Sequence, residues 1–198
     1  MTGGEDDDGL SLIELIIYIL VLAVITSGLA VMFANMWKTQ IMVDAQTQAT
    51  NNGQLVTSEV ERAMRNATGF QVTDGGSTLL VETSLPGSRQ CEAFHVGEPD
   101  ASYPTGALQL VVSAPAAPAA TSGYAWQKGI SAHTEAGFTA FFTGVDASGA
   151  AAVAAPKGVH YSFAATAPAA STASGPVIFS GTAFPRNSTL GGTATCWP

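Results

Sequence analysis

The sequence predicts an α+β fold in which one long N-terminal helix, transmembrane in its first half and amphipathic in its second, packs on an antiparallel β-sheet. Three observations carry this prediction. Leu15 to Trp37 contains no Lys, Arg, Asp or Glu; Lys38 to Ala67 contains no proline and repeats apolar residues at helical spacing; and from Phe70 onward short β-prone runs alternate with clusters of turn residues.

The uncharged run comes first. About 23 residues at 1.5 Å rise span roughly 34 Å, enough to cross a hydrocarbon core of about 30 Å. Leu, Ile, Val and Phe supply most of the run and outweigh Thr26, Ser27, Gly28 and Asn35. A secretory signal peptide competes with this reading, but its apolar core is usually only about 7 to 15 residues and follows a basic region, which is missing here. Glu14 stands at the start of the helix, where an ionisable group costs less than the roughly 2.5 to 3.5 kcal/mol assigned to the bilayer centre but still needs a partner. One partner is local, since Ser11-x-x-Glu14 fits a capping box in which Glu at N3 reaches back to the first free N–H groups.

Beyond Trp37 the helical pattern continues. Val56, Val60, Ala63, Met64 and Ala67 fall on one face, with Glu59, Glu61, Arg62 and Arg65 available for the other. Asn51, Asn52 and Gly53 are expected to bend or fray the helix, and Asn66 and Gly69 to end it. Strands are expected over Phe70 to Thr73 and Thr78 to Ser84, joined as a hairpin by Asp74, Gly75, Gly76 and Ser77, whose residue types tolerate positive φ. Further strands are expected at Cys91 to Val96, Leu108 to Ser113, Gly137 to Gly144, Val159 to Ala164 and Val177 to Thr182. Ala114 to Gly123 and Ala164 to Gly175 read as loops from their Ala, Pro, Ser, Thr and Gly content. Asp146 to Pro156 fits a loop, a short helix or a strand.

Composition narrows the function. The formal charge is −8, falling to −4 without Glu5, Asp6, Asp7 and Asp8, and no stripe of Lys and Arg offers a nucleic-acid footprint. The two cysteines, Cys91 and Cys196, form one disulfide most simply in a chain exported past a membrane, tying the last residues to the middle of the body.

Gly9, Leu10, Ser11, Leu12, Ile13 and Glu14, followed by the apolar helix, resemble the processing site of type IV prepilins and type II secretion pseudopilins. The resemblance implies cleavage between Gly9 and Leu10 by a prepilin peptidase, N-methylation of Leu10, and a role for Glu14 in assembly, where it meets the new α-amine of a neighbouring subunit. It also implies a type IV pilin-like division of the chain into a leader at 1–9, a transmembrane and filament-core helix at 10–37, its amphipathic continuation at 38–69 and an extracytoplasmic β-sheet domain at 70–198. The succession ERAMRNATGFQV, TLLVETS, a strand holding Cys91, a Phe-rich strand, KGVHYSF and FPRN is most similar to PilW-like minor pilins and J-type minor pseudopilins. Expected partners are then other pilins or pseudopilins, the peptidase, an inner-membrane assembly platform and the membrane itself, with nucleic acid reached only through the filament. The expected topology is single-pass, with a cytoplasmic N-terminus and an extracytoplasmic body. The leader MTGGEDDDG departs from the family in carrying acids where Lys or Arg is usual; acids contribute little to the positive-inside rule, and a peptidase site demands a cytoplasmic leader.

Enzyme signatures are lacking. His95, His133 and His160 stand without the paired spacing of metal ligands, and no H-E-x-x-H, G-x-S-x-G or phosphate-binding glycine loop occurs, so no cofactor is expected. Gly75-Gly76 and Gly191-Gly192 read as turns, and Asn66-Ala67-Thr68 and Asn187-Ser188-Thr189 as chance sequons. Trp126, Trp197 and Tyr124 suit packing more than an adhesive surface. The alternative to a filament subunit is a membrane-anchored binding module for DNA uptake or adhesion, whose anchor has no need of Leu10 and Glu14 together.

Overall fold

The computed structural model describes residues 12–83, 89–97, 102–113, 125–152, 154–167, 175–186 and Cys196. Helix α1 occupies Leu12–Arg65 and is followed by strands β1 (Ala67–Thr73), β2 (Thr78–Thr83), β3 (Gln90–Gly97), β4 (Ala107–Ser113), β5 (Ala125–Lys128), β6 (Ile130–Ala132), β7 (Phe142–Val145), β8 (Gly158–Ala165) and β9 (Val177–Ala183). The layout is α+β, a long N-terminal helix with antiparallel sheets, consistent with a pilin-like fold. Met1–Val43 and Asp44–Pro198 form separate compact units.

In the second unit, the helix residues Ala49, Gly53, Val56, Val60, Ala63 and Met64 are buried, at steps of three and four that keep them on one face. This stripe joins Leu79, Val81, Phe94, Leu108, Val159, Tyr161 and Phe163 in one core. The helix passes through Asn51, Asn52 and Gly53 without a break, where a bend or fraying was expected. Gly53 is there for packing: a Cβ at this position would lie 2.0 to 2.5 Å from ring carbons of Phe179, so the glycine is the notch that admits the ring.

The strands form two sheets, where the sequence had suggested one. The first runs β1-β2-β3-β4-β5, all neighbours antiparallel. In the second, β6 and β7 share one edge of β8 while β9 takes the other. The first hairpin is the expected one: Thr73 pairs with Thr78, and Asp74, Gly75 and Gly76 turn the chain with φ of 52°, 65° and 94°.

Asn66 ends the helix, as expected, but the helix bound at 69, the strand over 137–144 and the stretch 125–132 differ from expectation. Helix α1 stops at Arg65, because Asn66 closes it with its N–H on the carbonyls of Arg62 and Ala63 and its side-chain amide on Arg62, and Ala67 already pairs with Thr83. Residues 67–69 are therefore strand, not the end of the amphipathic helix. The strand expected over Gly137 to Gly144 is confined to Phe142–Val145, since Glu135 and Phe138 close a local bridge ahead of it. Strands β5 and β6 were not foreseen; they are short and flank Gly129, whose φ of 75° turns the chain from the first sheet into the second. A Cβ at Gly129 would lie 2.0 Å from the Thr166 carbonyl oxygen, and the Thr166 N–H donates to Gly129 O at 2.7 Å.

Segment 146–152 is a turn. Asp146 accepts from the Ser148 N–H at 2.8 Å, the Ser148 hydroxyl at 2.6 Å and the Ala150 N–H at 3.1 Å, an arrangement that holds its carboxyl below the usual carboxylate range. The segments 114–123 and 168–174, within the expected loops, lie outside the described residues; Ala164 and Ala165 belong to β8.

Candidate membrane and assembly helix

The first unit holds the N-terminal part of α1, described from Leu12. Every residue from Leu12 to Asp44 is exposed, Leu12 at 77 %, Phe33 at 68 % and Trp37 at 68 % among them, so apolar side chains face outward all round the helix. It is the helix among the described residues that is long and apolar enough to cross a membrane. A helix apolar on every side is stable only where lipid or other apolar helices surround it.

Its polar residues are adapted to such a solvent. The hydroxyls of Thr26, Ser27 and Thr39 donate to the carbonyls of Leu22, Val24 and Asn35 at 2.7, 2.8 and 3.0 Å. Each hydroxyl proton is thereby satisfied within the helix, as a medium without water requires.

Glu14 lies in the first turn, where the exposed N–H ends of the helix favour an anion. The Tyr18 hydroxyl donates to its Oε1 at 3.2 Å across one turn. The four-residue spacing of Glu14 and Tyr18 makes this contact legible in the sequence. Gly9, Leu10 and Ser11 lie outside the described residues, and with them the cleavage position and the Ser11 half of the capping box.

Cys91 and Cys196 are joined in a disulfide with a Cα–Cα distance of 5.5 Å, and both are buried. The bond anchors Cys196 to β3, where Cys91 lies opposite Glu82 across the strand pair. Glu82 is buried with Arg89 Nη1 3.4 Å from Oε1.

The histidines differ in their surroundings. His160 is buried on β8, its Nε2 2.5 Å from Glu135 Oε1 and its Nδ1 3.2 Å from Thr182 Oγ1, with the Phe138 ring stacked on it at 3.7 Å. It is a clasp between segment 135–138 and the second sheet, made by residues 22 and 25 positions apart that no local spacing could connect. His95 Nδ1 meets Thr78 Oγ1 at 2.8 Å, and Thr78 donates to Asp74 Oδ2 at 2.6 Å. No cluster of three His, Cys, Asp or Glu residues able to hold a metal occurs among the described residues. Trp126 packs against the core, whereas Tyr124, Trp197 and the 187–189 sequon lie outside the described residues.

Two further acids join the helix to the sheets, Glu61 from α1 itself and Glu92 from β3. Glu61 accepts from the Tyr161 hydroxyl at 2.9 Å, and burial, reinforced by Glu61, pushes the Tyr161 phenol well above its usual range. Glu92, 2 % exposed, receives the Thr83 hydroxyl at 3.3 Å and has Arg62 Nη2 3.6 Å from its other oxygen. Arg62 is also paired with Glu59. Burial raises the Glu92 carboxyl above its ordinary 4.5, with Arg62 opposing the shift. Glu59, Glu61 and Arg62, expected on the face opposite the apolar stripe, are all half-buried, and Glu61 and Arg62 reach the sheets.

No protein-family model matches the chain, and neither a curated protein nor a solved structure is significantly similar to it.

Proposed function

We propose that this chain is a minor pilin or pseudopilin, a non-enzymatic structural subunit of a type IV pilus or a type II secretion-like filament. The precursor sits in the membrane through α1, a prepilin peptidase cuts after Gly9, and Leu10 to Trp37 passes from lipid into a bundle of like helices, where Glu14 faces the α-amine of a neighbour. The body is then extracytoplasmic.

One observation carries the proposal: a helix exposing apolar residues on every side, whose first turn holds a lone carboxylate directly after G-L-S-L-I. An anchor alone has no use for that carboxylate. A filament does, because cleavage creates an α-amine of pKa about 7.7 to 8.0, cationic at neutral pH, at a comparable depth. Its charge offsets the cost of keeping Glu14 out of water.

The mass of the mature N-terminal peptide tests the first step. Methylated Leu10 is the expected start; an N-terminus at Met1 removes the processing claim and leaves a membrane-anchored binding module. Gly9→Val is expected to block the cut. Glu14→Ala is expected to be cut normally yet to stay out of filaments, and normal incorporation of that variant contradicts the role given to Glu14.

A further inference from the structure

Resting on the filament reading, we propose that Tyr18 is a positioning residue for Glu14, holding its carboxylate ready for the amine of the incoming neighbour. The two side chains stand four residues apart on α1, and the Tyr18 O–H donates to Glu14 Oε1 at 3.2 Å. Both are exposed, so they face whatever surrounds the helix.

The chemistry gives the contact its purpose. In lipid, a phenol O–H and a carboxylate each need a partner, and one bond between them serves both. A phenol has one proton to give, whereas a carboxylate has about four acceptor sites. Tyr18 therefore engages one oxygen and leaves Oε2 for the ammonium group, which brings up to three donors. Tyr18 supports the amine and does not compete with it.

Pre-organisation is the gain. A free Glu side chain has several rotamers to lose on docking, and a hydrogen bond made beforehand has already removed part of that freedom. A phenylalanine here keeps the ring and its packing but leaves the carboxylate unguided. Incorporation into filaments is then expected to fall about 2- to 10-fold, the cost of ordering one flexible side chain at the moment of docking.

The test compares wild type, Tyr18→Phe, Glu14→Gln and the double variant in the native host. The readout is the ratio of processed protein in sheared filaments to processed protein left in membranes, which corrects for differences in synthesis and stability. Tyr18→Phe is expected to be cut normally and to lower the ratio 2- to 10-fold, and to have no further effect once Glu14 is Gln. A wild-type ratio for Tyr18→Phe overturns the inference, as does an equal drop in the Glu14→Gln background, which assigns Tyr18 to helix packing alone. If Glu14→Gln itself assembles like wild type, the assembly role of Glu14 fails first, and the inference with it.

Discussion

Gly53→Ala places the helix's own preference in opposition to its packing. In an exposed helix this change stabilises by about 0.8 to 1.0 kcal/mol, because glycine is the more costly residue to order. At Gly53 the new methyl would stand 2.0, 2.4 and 2.5 Å from Cε2, Cζ and Cδ2 of Phe179. The ring must shift, disturbing its stack on Phe163 at 5.3 Å, or the helix must lift from the core. Overpacking of this kind costs about 1 to 3 kcal/mol, so the balance is a net loss of about 1 kcal/mol. Urea unfolding of the detergent-solubilised full chain, followed by tryptophan fluorescence, measures it as a lowered midpoint at unchanged slope. Phe179→Leu removes the obstructing ring edge, so the double variant is expected to lose less than the sum of the singles by at least about 0.5 kcal/mol. A stabilised Gly53→Ala, or strict additivity in the double variant, refutes the notch.

Three further outcomes follow from the body. Cys196→Ser opens a link between residues 105 apart and is expected to cost up to about 4.7 kcal/mol, the chain-entropy value for a loop of about 100 residues; a thermal midpoint unchanged by the substitution contradicts a structural role for the bond. Tyr161→Phe takes the donor from Glu61 and is expected to cost about 1.5 to 3 kcal/mol in urea unfolding, as for other hydrogen bonds to charged groups, and a loss below about 0.5 kcal/mol would show the pair to be incidental. Glu92 titrates with its folded pKa raised, so the stability linked to its protonation is full below about 4.5 and is lost as pH rises through the folded value. Glu92→Gln should therefore gain on wild type between pH 4.5 and 7 in parallel urea titrations; a gain that shrinks with rising pH reverses the sign and sinks the argument.

Much of the fold was legible because its signals are local. The buried stripe of α1 follows from spacing, and five strands, β2, β3, β4, β8 and β9, were placed to within about a residue because alternation and turn chemistry agree there. The hairpin at Asp74 to Gly76 is the clearest case, since both its residue types and its positive φ values are properties of adjacent residues. The errors share one cause. Gly53 looks like a helix weakener until Phe179 arrives from 126 positions away, and Ala67, a good helix former, is taken into β1 by pairing with Thr83. The division into two sheets depends on Gly129 and its contact with Thr166, equally invisible in a local window. Among the candidate residues, Glu14 stood out by its isolation in the sequence, while the His160 clasp with Glu135 did not, because it exists only through tertiary pairing.

The proposed assembly gives the isolated carboxylate a task that the rest of the helix cannot perform. Apolar contacts between like helices are non-directional, and sliding one helix past another by a turn of about 5.4 Å merely exchanges one set of Leu, Ile and Val for another. Dispersion can hold such a bundle together without choosing its register. The hydroxyls of Thr26, Ser27 and Thr39 have each spent their proton on a carbonyl of their own helix. Glu14 differs, since its hydrogen bond from Tyr18 leaves acceptor capacity unspent and its charge demands a counter-ion. One ion pair per subunit, at a fixed height, is enough to make a single stagger lower in free energy than its neighbours. That is why the filament reading places axial register on Glu14 and cohesion on the apolar surface around it.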